Sequence, residues 1–175
     1  MKRKAIVNLI LLHALFLVVV YVFQGVIFPY VRFGGFVPLL LPVAVTGIAL
    51  YEGRYKGGLS GLFAGILCDI SFNQPVGTFT VFLTVVGLGI GTLSDTVVLS
   101  GFIAFYIGSA AVLIVSAFIQ MLPIIALPHS IPTSIIMGTV IGQTIYSLVL
   151  AFPIWFIARA LGKRAERITP SGRIV

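Results

Sequence analysis

Asp69 is the one carboxylate that the spacing of charges puts at membrane depth. Lys56 marks a polar boundary, and Asp69 follows it by thirteen residues. At about 1.5 Å per helical residue, Asp69 lies roughly 20 Å into a hydrocarbon core of about 30 Å. A charge there costs about 2–3 kcal/mol or more unless it is paired or hydrated. Two roles would satisfy it. It could hold an ion or ligand, or it could cap the amides of the following helix or bind a loop group, with Arg32 as one candidate partner. The capping role is favoured. Ser71, Asn73, Gln74, Gly77 and Thr78 come next and surround Pro75. They form a polar break, which is tolerated at depth only if buried in protein or facing water.

The other polar groups in apolar runs are His13, Gln24, Gln120 and Gln143. A lone His13 reads as a satisfied hydrogen-bond group between helices rather than a metal ligand. His13 and His129 fall on opposite sides of the bilayer in the topology described below, so they cannot share a metal. Cys68 is the only cysteine, so neither a disulfide nor a thiolate metal site can be built. There is no His-Glu zinc motif, phosphate-binding loop or nucleophile elbow. Four acidic residues in all leave little for acid–base catalysis. The expectation is a chain that is not an enzyme and needs no cofactor.

Positioning these groups falls to six apolar runs. The first covers 5–28 and is read as a retained span. It follows Lys2-Arg3-Lys4 but is too long for a signal peptide and lacks a small-residue cleavage site. The second covers 36–51 and is kinked or shortened by Pro38 and Pro42. The third covers 57–70 and the fourth 77–93. Ser94-Asp95-Thr96 reads as an inner turn, with Ser94 or Asp95 capping the helix after it. The fifth run covers 99–127, bent near Pro123. After an outer turn at 128–132, the sixth covers 133–161 with Pro153 inside it. The division is a six-span domain at 1–162 and a short basic tail at 163–175, expected to be disordered.

Small residues recur on two of these runs. Gly57, Gly61 and Gly65 are spaced by four on the third, and Ser134, Gly138 and Gly142 on the sixth. The fourth adds Gly87 and Gly91. Residues four apart share a helix face, and small ones let a second backbone approach closely in lipid. The ladders therefore indicate helix packing, within the bundle or against a partner, and carry no chemistry of their own.

Composition agrees with a membrane domain. The chain is 59% hydrophobic and 9% charged, with mean hydropathy +1.20; soluble domains carry about 25% charged residues. Its 175 residues leave no room for a sizeable soluble domain. Ten of the eleven Lys and Arg residues fall where six spans would put the cytoplasm, Arg32 being the exception. Short loops rich in Lys and Arg stay cytoplasmic, which orients the bundle with both termini inside. The net charge of +7 thus reads as topology signal, aided by anionic lipid, and not as a nucleic-acid footprint.

One stretch is similar to a known family. Tyr51-Glu52-Gly53-Arg54-Tyr55-Lys56-Gly57-Gly58-Leu59-Ser60-Gly61-Leu62-Phe63-Ala64-Gly65-Ile66-Leu67-Cys68-Asp69, followed by Gln74-Pro75-Val76-Gly77-Thr78, resembles the rod shape-determining protein MreD family. That family shows a glycine-rich third span ending in Asp and then a polar break with Pro and Gly. The resemblance implies an all-α integral membrane protein of six transmembrane helices, similar in fold to the substrate-binding subunits of energy-coupling-factor transporters. It also implies a place in the bacterial inner membrane, as a scaffold of the cell-elongation complex that serves cell shape and peptidoglycan synthesis. Its partners would be an MreC-like single-pass protein and, indirectly, an MreB-like filament and cell-wall synthases. The kinship in fold supplies the alternative of a vitamin-capturing transporter subunit. Against it, the docking pattern of two alanines four apart is missing from the first span, where Ala5 and Ala14 stand nine apart.

Overall fold

The computed structural model describes residues 2–30, 35–72, 77–96, 101–125 and 133–168. These form six α-helices: α1 (Lys2–Val22), α2 (Leu41–Glu52), α3 (Arg54–Phe72), α4 (Thr78–Thr96), α5 (Phe102–Ile125) and α6 (Thr133–Ile168). A π-helical turn, Phe23–Ile27, extends α1. Four helices are long and apolar enough to cross a membrane, over Asn8–Ile27, Thr78–Thr96, Phe102–Met121 and Ile135–Ala165. The chain is therefore all-helical in its described residues, with the multiple apolar helices of a membrane protein. Arg32, His129, the 128–132 turn, Arg173, Asn73, Gln74 and Pro75 lie outside the described residues.

Helix α2 is the centre of the bundle, and every residue from Leu41 to Leu50 is buried. It packs against α3, α4, α5 and α6. It begins five residues later than the expected start at Phe36. Proline lacks an N–H and disfavours helical geometry in the residue before it, but fits the first turn of a helix. Pro42 occupies that first turn, and residues 37–40 remain irregular. Such a segment must find hydrogen bonds inside the protein, and it does, as described below.

Three other boundaries differ from expectation. Ser94-Asp95-Thr96 is the last turn of α4 and not a loop. Helix α3 starts directly after Gly53, whose φ of +83° suits glycine and lets α2 end and α3 begin without a linker. Helix α6 continues to Ile168, so the basic segment beyond Gly162 is helical that far and not disordered. Leu161 and Ala165 are buried there, and Gly162 lies so close to Tyr51 that a Cβ would sit 2.7 Å from the tyrosine's own. This packing carries the helix past the expected boundary.

The contacts sort the bundle into two ends. At one end, the Trp155 indole N–H donates to the Tyr51 hydroxyl at 2.7 Å, and the Arg159 guanidinium lies 5.2 Å from the Trp155 ring. Phe102 packs edge-on to Trp155. Arg54, Lys56, Lys163 and Arg164 belong to this same end, where α2 and α4 finish and α3 and α5 start. The opposite end collects Gln24, Gln143 and Asp69 with their partners.

Candidate functional site

Helices α3 and α4 form an antiparallel hairpin closed by a carboxylate at each end. Asp69 Oδ1 accepts from the Phe79 amide at 2.8 Å. Its Oδ2 accepts from the amides of Gly77 at 2.9 Å and Thr80 at 3.2 Å, and from the Thr80 hydroxyl at 2.6 Å. These amides belong to the start of α4, where unpaired N–H groups and the helix dipole both favour a negative charge. Asp69 is buried, at 6% exposure. A carboxylate has about four acceptor positions, and four donors bind this one, three of them at Oδ2. The geometry is a helix cap supplied by the neighbouring helix. Gly77, at φ +106°, and Thr78, the first residue of α4, stand in that capped turn.

At the other end the arrangement is mirrored. Asp95 Oδ2 accepts from the Arg54 amide at 3.1 Å, the first residue of α3. Ser94 donates to the Leu50 carbonyl at 2.5 Å and so closes the end of α2. Both residues thus reach back to helices that precede them in sequence, contacts that the sequence did not suggest. A Cβ on Gly53 would lie 2.6 Å from Asp95 Oδ1, so glycine is needed for the carboxylate to reach.

The glycine ladder of α3 fills the space between the caps. A Cβ on Gly57 would stand 2.6 Å from the Gly87 carbonyl oxygen, and one on Gly61 or Gly65 would overlap the backbone of Leu83 or Thr80. Gly87 and Gly91 meet the Gly57 and Arg54 backbones in return. The third-span ladder is therefore internal. The two glycines of the sixth-span ladder differ. Gly138 has open space where its Cβ would be, and Gly142 packs against the Phe36 ring, whose nearest atom would lie 2.5 Å from a Cβ. Gly138 faces outward among the exposed Ile135, Met137 and Ile141.

The irregular segment ahead of α2 is held by side chains from two other helices. Gln24 Oε1 accepts from the amides of Leu40 at 2.7 Å and Leu41 at 2.9 Å. Ser147 Oγ accepts from the Leu39 amide at 2.8 Å. Gln143 donates to the Val37 carbonyl at 2.8 Å and to Gln120 Oε1 at 3.1 Å. The glutamines, spread over three helices, converge on residues 37–41, where described backbone without helical bonds leads into α2.

The expected hydrogen bond of His13 between helices is present, but its partner, Glu52, escaped the sequence reading. His13 Nδ1 meets the Leu9 carbonyl at 2.7 Å, and its Nε2 meets Glu52 Oε1. Lys56 Nζ lies 3.1 Å from Glu52 Oε2. The side chain of Glu52 is only 1% exposed and that of His13 13%. Asp69 is thus not the only buried carboxylate. Glu52 stands just beyond the expected end of the second span at 51, with Arg54 and Lys56 following it. The available signals were its place four residues before Lys56 and the need of His13, in an apolar helix, for a partner. Among the described residues, no group of three His, Cys, Asp or Glu side chains is placed to hold a metal ion. Comparison with known proteins adds no relative: no family model, no curated protein and no solved structure matches the chain.

Proposed function

We propose that this chain is a non-enzymatic scaffold of the bacterial cell-elongation machinery, of the MreD kind, acting in the inner membrane by holding the transmembrane helix of an MreC-like partner. The observation that carries this reading is the hairpin of α3 and α4. The residues that resemble the family build its most tightly interlocked element, and both carboxylate oxygens of Asp69 are engaged by the hairpin's own donors. A segment so closed serves as a rigid platform. The partner face is then assigned to α6, where Gly138 leaves a shallow gap between Ile135, Met137 and Ile141.

The proposal includes six crossings with both termini cytoplasmic. Helix α2 alone, at twelve residues, covers about 18 Å. Residues 36–40 add about 16 Å if extended, which together match a core of about 30 Å. The gathering of Arg54, Lys56, Arg159, Lys163 and Arg164 at one end supports the orientation.

The test is co-purification from native membranes. The chain is expected to bring down an MreC-like single-pass protein, and Gly138→Leu to lose it while melting normally in detergent. The vitamin-transporter alternative rests on the buried hydroxyls of Ser109, Ser116 and Thr144, which have no hydrogen-bond partner among the described residues. Submicromolar binding of a vitamin by the purified protein, with no MreC-like partner recovered, would replace the scaffold reading.

A further inference from the structure

We infer that His13 and Glu52 form a buried proton-binding site that fastens α1 to the rest of the bundle and lets go when the proton leaves. The argument begins at Nδ1. Its neighbour is the Leu9 carbonyl oxygen, at 2.7 Å, which can only accept; Nδ1 therefore carries a hydrogen. Nε2 faces a carboxylate oxygen of Glu52. With Nδ1 already protonated, that second contact also needs a proton, shared between Nε2 and Oε1. The closed site is an imidazolium against a carboxylate or a neutral imidazole against a carboxylic acid. Both hold one proton more than the pair does when a lone pair on Nε2 confronts an ionised Glu52. In that third form two acceptors oppose each other, and nothing holds them together.

The surroundings make this proton matter. The Glu52 side chain is 1% exposed, so water cannot easily replace a lost partner. From α3, Lys56 reaches Glu52 Oε2 at 3.1 Å and keeps the carboxylate paired when His13 leaves. Arg54 turns to the Tyr55 hydroxyl at 2.6 Å. From α4, Asp95 faces the Arg54 amide. From α6, Arg159 stacks on Trp155, and on α5 Tyr106 lies among Phe102 and Phe105. Among the described groups, His13 is thus the titrating partner of Glu52, and Lys56 the counter-charge that stays behind. Helix α1 exposes Ile10, Leu11, Leu15, Val18 and Val19, so much of its surface faces away from the bundle and His13 is a principal polar tie.

Opening the site on the alkaline side releases one proton, so its opening equilibrium should rise about tenfold per pH unit there. The measurement is hydrogen–deuterium exchange of the α1 amides around His13 in the full chain in lipid nanodiscs, between mildly acidic and mildly alkaline pH, after correction for the intrinsic pH dependence of exchange. The native chain is expected to lose protection in α1 on the alkaline side while α3 and α4 stay protected. Glu52→Gln should abolish the dependence, because an amide can donate to a neutral imidazole and accept from a charged one. His13→Gln should do the same from the other side, since its amide donates to Glu52 at every pH. Either variant suffices if the other fails to fold. A native α1 with no pH dependence, or variants that keep the native dependence, would overturn the inference. The outcome is independent of which partner the bundle holds.

Discussion

Asp69 and Asp95 cap each other's helices. Asp69, near the end of α3, accepts from the amides that begin α4, and Asp95, near the end of α4, accepts from the Arg54 amide that begins α3. The exchange is possible because the glycines between them bring the two backbones into contact. At the glycines the gap leaves no room for a Cβ, and this close approach brings each carboxylate within reach of the other helix's first amides. Caps and ladder therefore depend on one another.

The two oxygens of Asp69 take unequal shares of this work. Oδ1 serves one amide and Oδ2 serves two amides and a hydroxyl. Asp69→Asn keeps one acceptor oxygen but turns an NH2 group toward donors. It should cost about 1–3 kcal/mol, the usual penalty of leaving a buried donor unpaired. Asp69→Leu strands all four donors and should cost more. Thermal unfolding in detergent should rank native, Asn and Leu in that order. Equal loss in both variants would mean that the charge itself is needed, as for an ion site.

Gly61 and Gly138 separate internal packing from outer surface. Gly61→Ala forces a methyl into the Leu83 backbone and should destabilise by about 1–3 kcal/mol or more, as overpacked sites do. Gly138→Ala meets open space and should be neutral, or stabilising by up to about 1 kcal/mol through helix propensity. Melting temperatures of the two variants, measured side by side, check this. Similar losses at both positions would place Gly138 in a packed interface.

Much of this arrangement was legible in the sequence. Charge placement and apolar length marked out six helices, and the spacing of Gly57, Gly61, Gly65 and Asp69 pointed to a close helix pair with a carboxylate at its end. What was not legible depends on contacts distant in sequence. Asp95 lies 41 residues from the Arg54 amide it caps. Glu52 and His13 lie 39 apart. Spacing cannot tell an outward glycine from a packed one, so Gly138 and Gly61 looked alike. Nor could the apolar pattern show that α6 continues past Gly162, because that stretch is held by Tyr51 of another helix.

Gln24 and Ser147 should differ in cost because they serve different numbers of amides. Gln24 Oε1 accepts from both Leu40 and Leu41, whereas Ser147 accepts from Leu39 alone. With about 1–3 kcal/mol for each buried donor left unpaired, Gln24→Leu should lower stability more than Ser147→Ala. Denaturation of both variants in the same detergent gives the comparison. A larger loss from Ser147→Ala would mean that water enters near Gln24 and replaces its carbonyl.

The orientation of the bundle can be read by cysteine labelling, because the native Cys68 is fully buried and should not react. Tyr30 is 88% exposed and Tyr55 74% exposed, and Arg164 is exposed on the extended end of α6. Tyr30 follows α1, at the end where Gln24 holds the start of α2. Tyr55 and Arg164 belong to the end that gathers basic residues. If short basic segments stay in the cytoplasm, a membrane-impermeant maleimide applied to intact spheroplasts should label Tyr30→Cys at once. It should label Tyr55→Cys and Arg164→Cys only after the membrane is opened. The opposite pattern would invert the bundle. Labelling of Tyr55→Cys and Arg164→Cys from different sides would change the number of crossings, because the two residues would no longer share a face of the membrane.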